Sequence, residues 1–193
     1  MQAQTIEAET SRRAMTVGAI PASAAVTALA GALIVLGSVG TWGRIGDSGQ
    51  GDPILRGTVG GLALAEGKLT LALGLVVAAA AGALFLRSKE WRRVLLPIVL
   101  LASVAVGTIA TVDTIRAEER FPAARLDDVA RNISDTTGFP FDPIRARLAS
   151  QVAGPAEVTP DIGMVLVLAG AALGTGASAV TVARSRRRSA RAG

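Results

Sequence analysis

Long runs without a charged residue alternate with short polar stretches along the chain. The first run extends from about Ala14 to Trp42, and its central part, Val17 to Gly40, is uncharged. The others are Leu69–Leu86, Val94–Val112 and Ile162–Ala183. A hydrocarbon core of about 30 Å needs about 20 helical residues to cross it, and every run falls in the workable range. Backbone polar groups in lipid must be satisfied within their own segment, so helices are predicted. The runs lack the alternating ten-residue pattern of an outer-membrane barrel. The predicted fold class is all-α: a polytopic membrane protein of four transmembrane helices.

The polar stretches divide unequally. A short tail, 1–13, precedes the first run, and a basic tail, 184–193, follows the last. The loop between the first two runs is rich in glycine and reads as a turn-rich connection. The stretch from about 114 to 160 is long enough for a small helical cap outside the membrane. In Ala123–Ile133 the residues Leu126, Val129, Ala130 and Ile133 fall at i, i+3, i+4 and i+7, one helical face. Pro122 suits the start of that helix and Gly138 lies past its end. A second short helix is predicted with Asp142 as N-cap and Pro143 at its first position, carrying Ile144, Leu148 and Val152 as a stripe. Phe139 and Phe141 stand between the two.

Charge orients the chain. Of its 20 lysines and arginines, 11 lie in the two tails and in "RSKEWRR" between the second and third runs, against only Glu7, Glu9 and Glu90. Basic residues accumulate on the cytoplasmic side of membrane proteins, so both termini are expected there, at the plasma membrane. "SRRAMTVGAI" followed by "ALAG" also has the outline of a cleavable signal, even of twin-arginine type. The apolar run continues well past that site, which favours an uncleaved anchor.

Apolar burial does not drive helix association among lipid tails; close backbone approach at small residues does. Gly74, Ala78 and Gly82 form such a stripe on the second helix, and Gly170, Gly174 and Ser178 on the fourth. Ser103, Gly107 and Thr111 do so on the third, and Ala24, Ala28 and Ala32 on the first. Trp42 and Trp91 are placed as interfacial anchors. At the start of the second helix Glu66 suits the positive end of the helix dipole and Lys68 can reach the interface. Asp161 does the same for the fourth helix. Asp113, at the outer end of the third, is expected to be solvated or paired with Arg116.

Composition removes much chemistry. The chain has no cysteine, histidine or tyrosine, so thiolate chemistry, disulfides and the commonest general base are absent. Asp127, Asp128, Glu118, Glu119 and Asp135 lack the spacing of a calcium loop and are interleaved with arginines, as on a salt-bridged helix surface. No catalytic residue, cofactor or metal site is assigned. The arginines flank apolar segments rather than forming a basic face with aromatics, so nucleic acid is not an expected partner. The uncharged membrane interior argues against a pump, carrier or hydrated channel.

Gly40 and Trp42 after the first helix, Glu66-Gly67-Lys68 before "LTLALG", and "DIGMVLVLAG" at the last helix give the chain a likeness. It resembles small four-helix actinobacterial integral membrane proteins of unknown function, over perhaps two thirds of its length. Members more often have an aromatic near the start of the last helix, where this chain has Met164. The resemblance carries over no catalytic residue. The expected role is an accessory or structural subunit of a larger membrane complex, such as a respiratory assembly. It would meet membrane lipids along its helices and a protein partner through Phe139, Phe141, Leu126, Val129, Ile133 and Leu148. A module binding a lipid or apolar ligand between helices is the alternative, with a small transporter further behind.

Overall fold

The computed structural model describes residues 22–46, 56–86, 89–152 and 157–192. The tail 1–13 and the start of the first apolar run, with the cleavage question, lie outside them. Among the described residues six helices and a small sheet follow in the order α1 (Ala22–Val39), β1 (Thr41–Ile45), β2 (Gly57–Gly60), α2 (Ala65–Leu86), α3 (Lys89–Ile115), α4 (Ala117–Thr137), α5 (Phe141–Gln151), β3 (Val158–Pro160) and α6 (Ile162–Ala192). A single 3-10 turn, Gly61–Ala63, joins β2 to α2. Among the described residues four helices contain windows long and apolar enough to cross a membrane: Ala22–Val39, Ala65–Leu84, Val94–Ile115 and Ile162–Arg184. This is the expected all-α, multi-pass membrane architecture.

α1 packs against α2 and α6, and α3 packs against the same two, closing a four-helix ring. Successive spans run in opposite directions, so every neighbour in the ring is antiparallel. Glycine sets how close the helices come. A Cβ on Gly31 of α1 would lie 2.8 Å from the Ala78 backbone nitrogen, and one on Gly74 would lie 2.6 Å from a methyl of Ile34. On the other side of α1, a Cβ on Gly37 would stand 2.6 Å from the Gly163 carbonyl, and one on Gly170 would stand 2.8 Å from the Ala30 carbonyl. Gly174 faces Ser103 of α3. The predicted stripes of α2 and α6 are therefore used inside the bundle, with Gly82 as the exception: its Cβ position meets nothing within 4 Å. The facing glycines of α1, Gly31 and Gly37, were not among the expected packing residues. Ser38 and Thr70 add a polar tie between α1 and α2, their hydroxyls 2.9 Å apart in the buried interface. Leu29, Leu36, Leu75, Leu101 and Val180 point outward, as lipid-facing side chains must.

The helices exceed the apolar runs. α2 begins at Ala65 rather than Leu69, α3 spans Lys89–Ile115 rather than 94–112, and α6 continues through the expected tail to Ala192. Hydrophobicity marks where lipid is tolerated; backbone hydrogen bonding continues past it. Pro122 consequently sits inside α4 rather than at its start, and Pro97 lies inside α3. Asp142 is not an N-cap either. α5 starts at Phe141, with Pro140 in the capping position and Pro143 in the first turn, where no backbone donor is missed.

The glycine-rich loop holds the largest departure from expectation. It is not merely a turn-rich connection: β1 is the central strand of an antiparallel sheet ordered β2-β1-β3. Trp42 sits in β1 where the register to β2 shifts between Thr41 and Gly43. It is fully buried, and its indole N–H donates to the Gly37 carbonyl at 2.9 Å. Trp42 is thus not an interfacial anchor. It fills the junction of bundle and sheet and satisfies one of the carbonyls that a helix end leaves unpaired. Replacing it with Phe keeps most of the packing but orphans that carbonyl. The expected loss is about 1 kcal/mol, measurable as a lower unfolding temperature in detergent.

Candidate functional site

α4 lies across the sheet. Phe121, fully buried, covers Gly43, where a side chain on β1 would displace it. Leu126 and Ala130 continue the buried face toward the end of the helix. Gly57, at φ 144°, brings β2 beneath the Arg125 guanidinium, 3.1 Å from where its Cβ would be. The core therefore runs without a break from α1 and α6 through Trp42 and Val59 to Phe121 and Leu126.

An ion-pair cluster fastens this cap to the bundle. Arg120 of α4 donates through Nη1 to Asp113 Oδ1 of α3 at 2.7 Å, and through the same nitrogen to Glu66 Oε1 of α2. Asp113 is 1% exposed, whereas Arg120 and Glu66 are each about one-third exposed. Two expectations change here. Asp113 is buried and pairs with Arg120, not Arg116. Glu66, although in the first turn of α2, is held by a side chain from the cap rather than serving chiefly the unpaired donors of its own helix. A single guanidinium between two carboxylates clamps three helices at one point. Among the described residues no group of three or more acidic or other ligating side chains is placed to hold a metal ion.

Asp161 immediately precedes α6. Its Oδ1 accepts the Ile162 N–H at 2.7 Å at the start of α6, and Oδ2 accepts from Arg44 of β1 at 3.2 Å. The Ile162 backbone hydrogen bond lowers its carboxyl below the usual value; burial acts in the opposite direction, and Arg44 adds to the lowering. A folded-state value below the unfolded one stabilises the protein above the ordinary carboxylate range, and that contribution disappears as pH falls through the lowered value. Thermal unfolding should therefore be insensitive to this group near neutrality and lose its contribution in acid. Asp161→Asn should flatten the acid limb of the unfolding temperature against pH.

The remaining predicted residues separate into two groups. Leu126 is core, and Leu148 is half-buried against the core cluster, so neither is a free docking residue. Phe139 is 67% exposed at the tip between α4 and α5, and Ile133 on α4 is also exposed. Phe141 is half-buried, with the Arg131 guanidinium 6.0 Å from its ring centre. α5 contributes no fully buried residue. It is held to α4 by half-buried apolar contacts and by the partly exposed Arg145–Asp127 pair, an ion pair at one of the five acids named for that surface. Gly138, left-handed at φ 75°, ends α4 and turns the chain, its N–H donating to the Ser134 carbonyl at 2.8 Å. Along the outer face of α4 a cleft of about 350 Å³ is lined by Arg125, Asp128, Val129, Asn132 and Ile133. Lys68 is exposed in the first turn of α2, and Trp91 is half-exposed in the first turn of α3.

The sequence offered no signal for Arg120 as the clamp, since it is one of several arginines in a charged stretch. The chain matches no protein-family model, and no match is found among curated proteins or solved structures.

Proposed function

We propose that the protein is a non-enzymatic accessory or structural subunit of a larger complex in the plasma membrane, with both termini cytoplasmic and the α4–α5 hairpin as its docking element. The observation that carries this reading is the hairpin itself. α5 has no fully buried residue, and Phe139 stands two-thirds exposed at the tip between α4 and α5. Exposed aromatics on a small rigid element are typical anchors for a partner. The small-residue stripes, expected to share in docking, are consumed within the bundle at Gly31, Gly74, Gly170 and Gly174. The same contacts leave little space for a ligand between α1 and its neighbours, which weighs against the lipid-carrier alternative. The basic ends of the chain support the orientation.

A photo-crosslinking residue in place of Phe139 tests the reading in intact cells. A discrete adduct with one membrane protein that also co-purifies in mild detergent is expected. A protein that remains monomeric and alone, with no adduct from position 139, overturns it.

A further inference from the structure

Arg125 is a half-buried cation of the cap with nothing to pair with. Its Nε is buried, and no hydrogen-bond acceptor reaches it. Among the described residues Arg125 enters no hydrogen bond and no ion pair. A buried donor left unpaired costs free energy, and more so on a charged group. Such a group calls for something that completes it. The side chain is nonetheless held in place. Gly57, at φ 144°, lets β2 pass beneath the guanidinium, whose Nε, Cζ and Nη2 each lie 3.1 Å from where a Cβ at 57 would stand. A side chain at that position would push the guanidinium away.

Arg125 also lines the cleft of about 350 Å³ on α4, with Asp128, Val129, Asn132 and Ile133. These positions stand at i, i+3, i+4, i+7 and i+8, one face of the helix. The volume falls in the range of small-molecule sites. Asp128 does not neutralise Arg125: no ion pair joins them, and a base N-terminal to its acid is the less favourable order on a helix. A planar guanidinium is matched by the two oxygens of a carboxylate. Val129 and Ile133, one and two turns further along, suit an apolar body. Asp128 repels a second negative charge, which disfavours phosphomonoesters and dicarboxylates. We propose that this cleft binds a small organic monocarboxylate with an apolar body, its carboxylate on Arg125 and its body along Val129 and Ile133. The site does not require the hairpin to meet a partner, so it stands apart from the docking role.

The test uses the full chain in phosphatidylcholine nanodiscs with para-fluorophenylacetate as the probe, read by fluorine NMR line broadening against empty discs. Broadening that excess phenylacetate reverses, and that the neutral para-fluorophenylacetamide does not show, is expected. Arg125→Gln should weaken binding roughly tenfold to a hundredfold, the loss of one charge-assisted pair. Arg147→Gln, at an exposed position on α5, should leave it unchanged. Asp128→Asn should admit fluorophthalate, a dicarboxylate that the unmodified protein should reject. No broadening beyond empty discs overturns the proposal, as does equal binding of the amide or equal weakening by the two arginine variants. A photo-crosslinking residue in place of Ile133 in intact cells separates a free ligand from the same group on a partner chain. A protein adduct that Arg125→Gln abolishes, with no probe bound in discs, overturns the assignment to a free molecule. Should Arg125→Gln not fold, the carboxylate and the amide compared on the unmodified protein decide alone.

Discussion

Arg120→Ala is expected to destabilise the protein by about 3 kcal/mol, the low end for breaking a buried ion pair by removing one partner. The cost comes from Asp113, which is 1% exposed and would lose its counter-ion, while Glu66 can still reach solvent. Two substitutions separate this cause from lost packing. Asp113→Asn added to Arg120→Ala should recover much of the stability, because the uncompensated buried charge is gone. Arg120→Lys should fall between, since an ammonium cannot offer the guanidinium's fixed, planar set of donors to two carboxylates. Glu66→Ala should cost only about 1 kcal/mol, as suits a largely hydrated partner. Thermal unfolding in detergent, followed by circular dichroism, measures all four. If Arg120→Ala unfolds with the unmodified protein, the clamp contributes nothing and the cap is held by Phe121 and Leu126 alone.

The second large effect belongs to the bundle. Gly170→Leu should cost about 3 kcal/mol, or prevent assembly, because its Cβ alone would approach the Ala30 carbonyl to 2.8 Å and the Ile34 nitrogen to 3.0 Å. Those obstacles are backbone, so no rotamer change relieves them; α1 and α6 must separate. Separation exposes no apolar area to water, but it forfeits the close packing on which helix association in lipid depends. Gly82→Ala is the control. Nothing lies within 4 Å of its Cβ position, and the gain in helix propensity, roughly 0.5–1 kcal/mol, should make it neutral or slightly stabilising. A glycine stripe read from sequence would treat the two positions alike. Equal sensitivity at Gly82 and Gly170 would contradict the packing described here.

The contrast shows how much of the site was legible beforehand. Phe139 could be placed at an exposed turn because Gly138 and Pro140 interrupt two amphipathic helices, a local pattern. Asp161 could be placed at a helix start for the same kind of reason. Leu126 could not be told from a docking residue, since its helical face looks the same whether it meets β1 and β2 or a partner. Trp42 was misread because an aromatic just past an apolar run resembles an interfacial anchor until a strand draws it inward. The strands themselves are three to five residues long and rich in glycine. Their pairing gives little trace in the chain, because β1 finds β3 more than a hundred residues away.

By itself the sequence determined the spans, their number and the segregation of charge between the two ends. These follow from the length of uncharged runs and the cost of placing charge or unpaired backbone in hydrocarbon, which act residue by residue. Tertiary structure alone decided which glycines are contacts and which face lipid, because two helices must be set side by side before a Cβ has an obstacle. It alone converted Glu66 and Asp113 from solvated helix-end charges into partners of Arg120. Glu66 and Arg120 stand 54 positions apart, and no local pattern encodes a pairing that exists only when the cap folds onto the bundle.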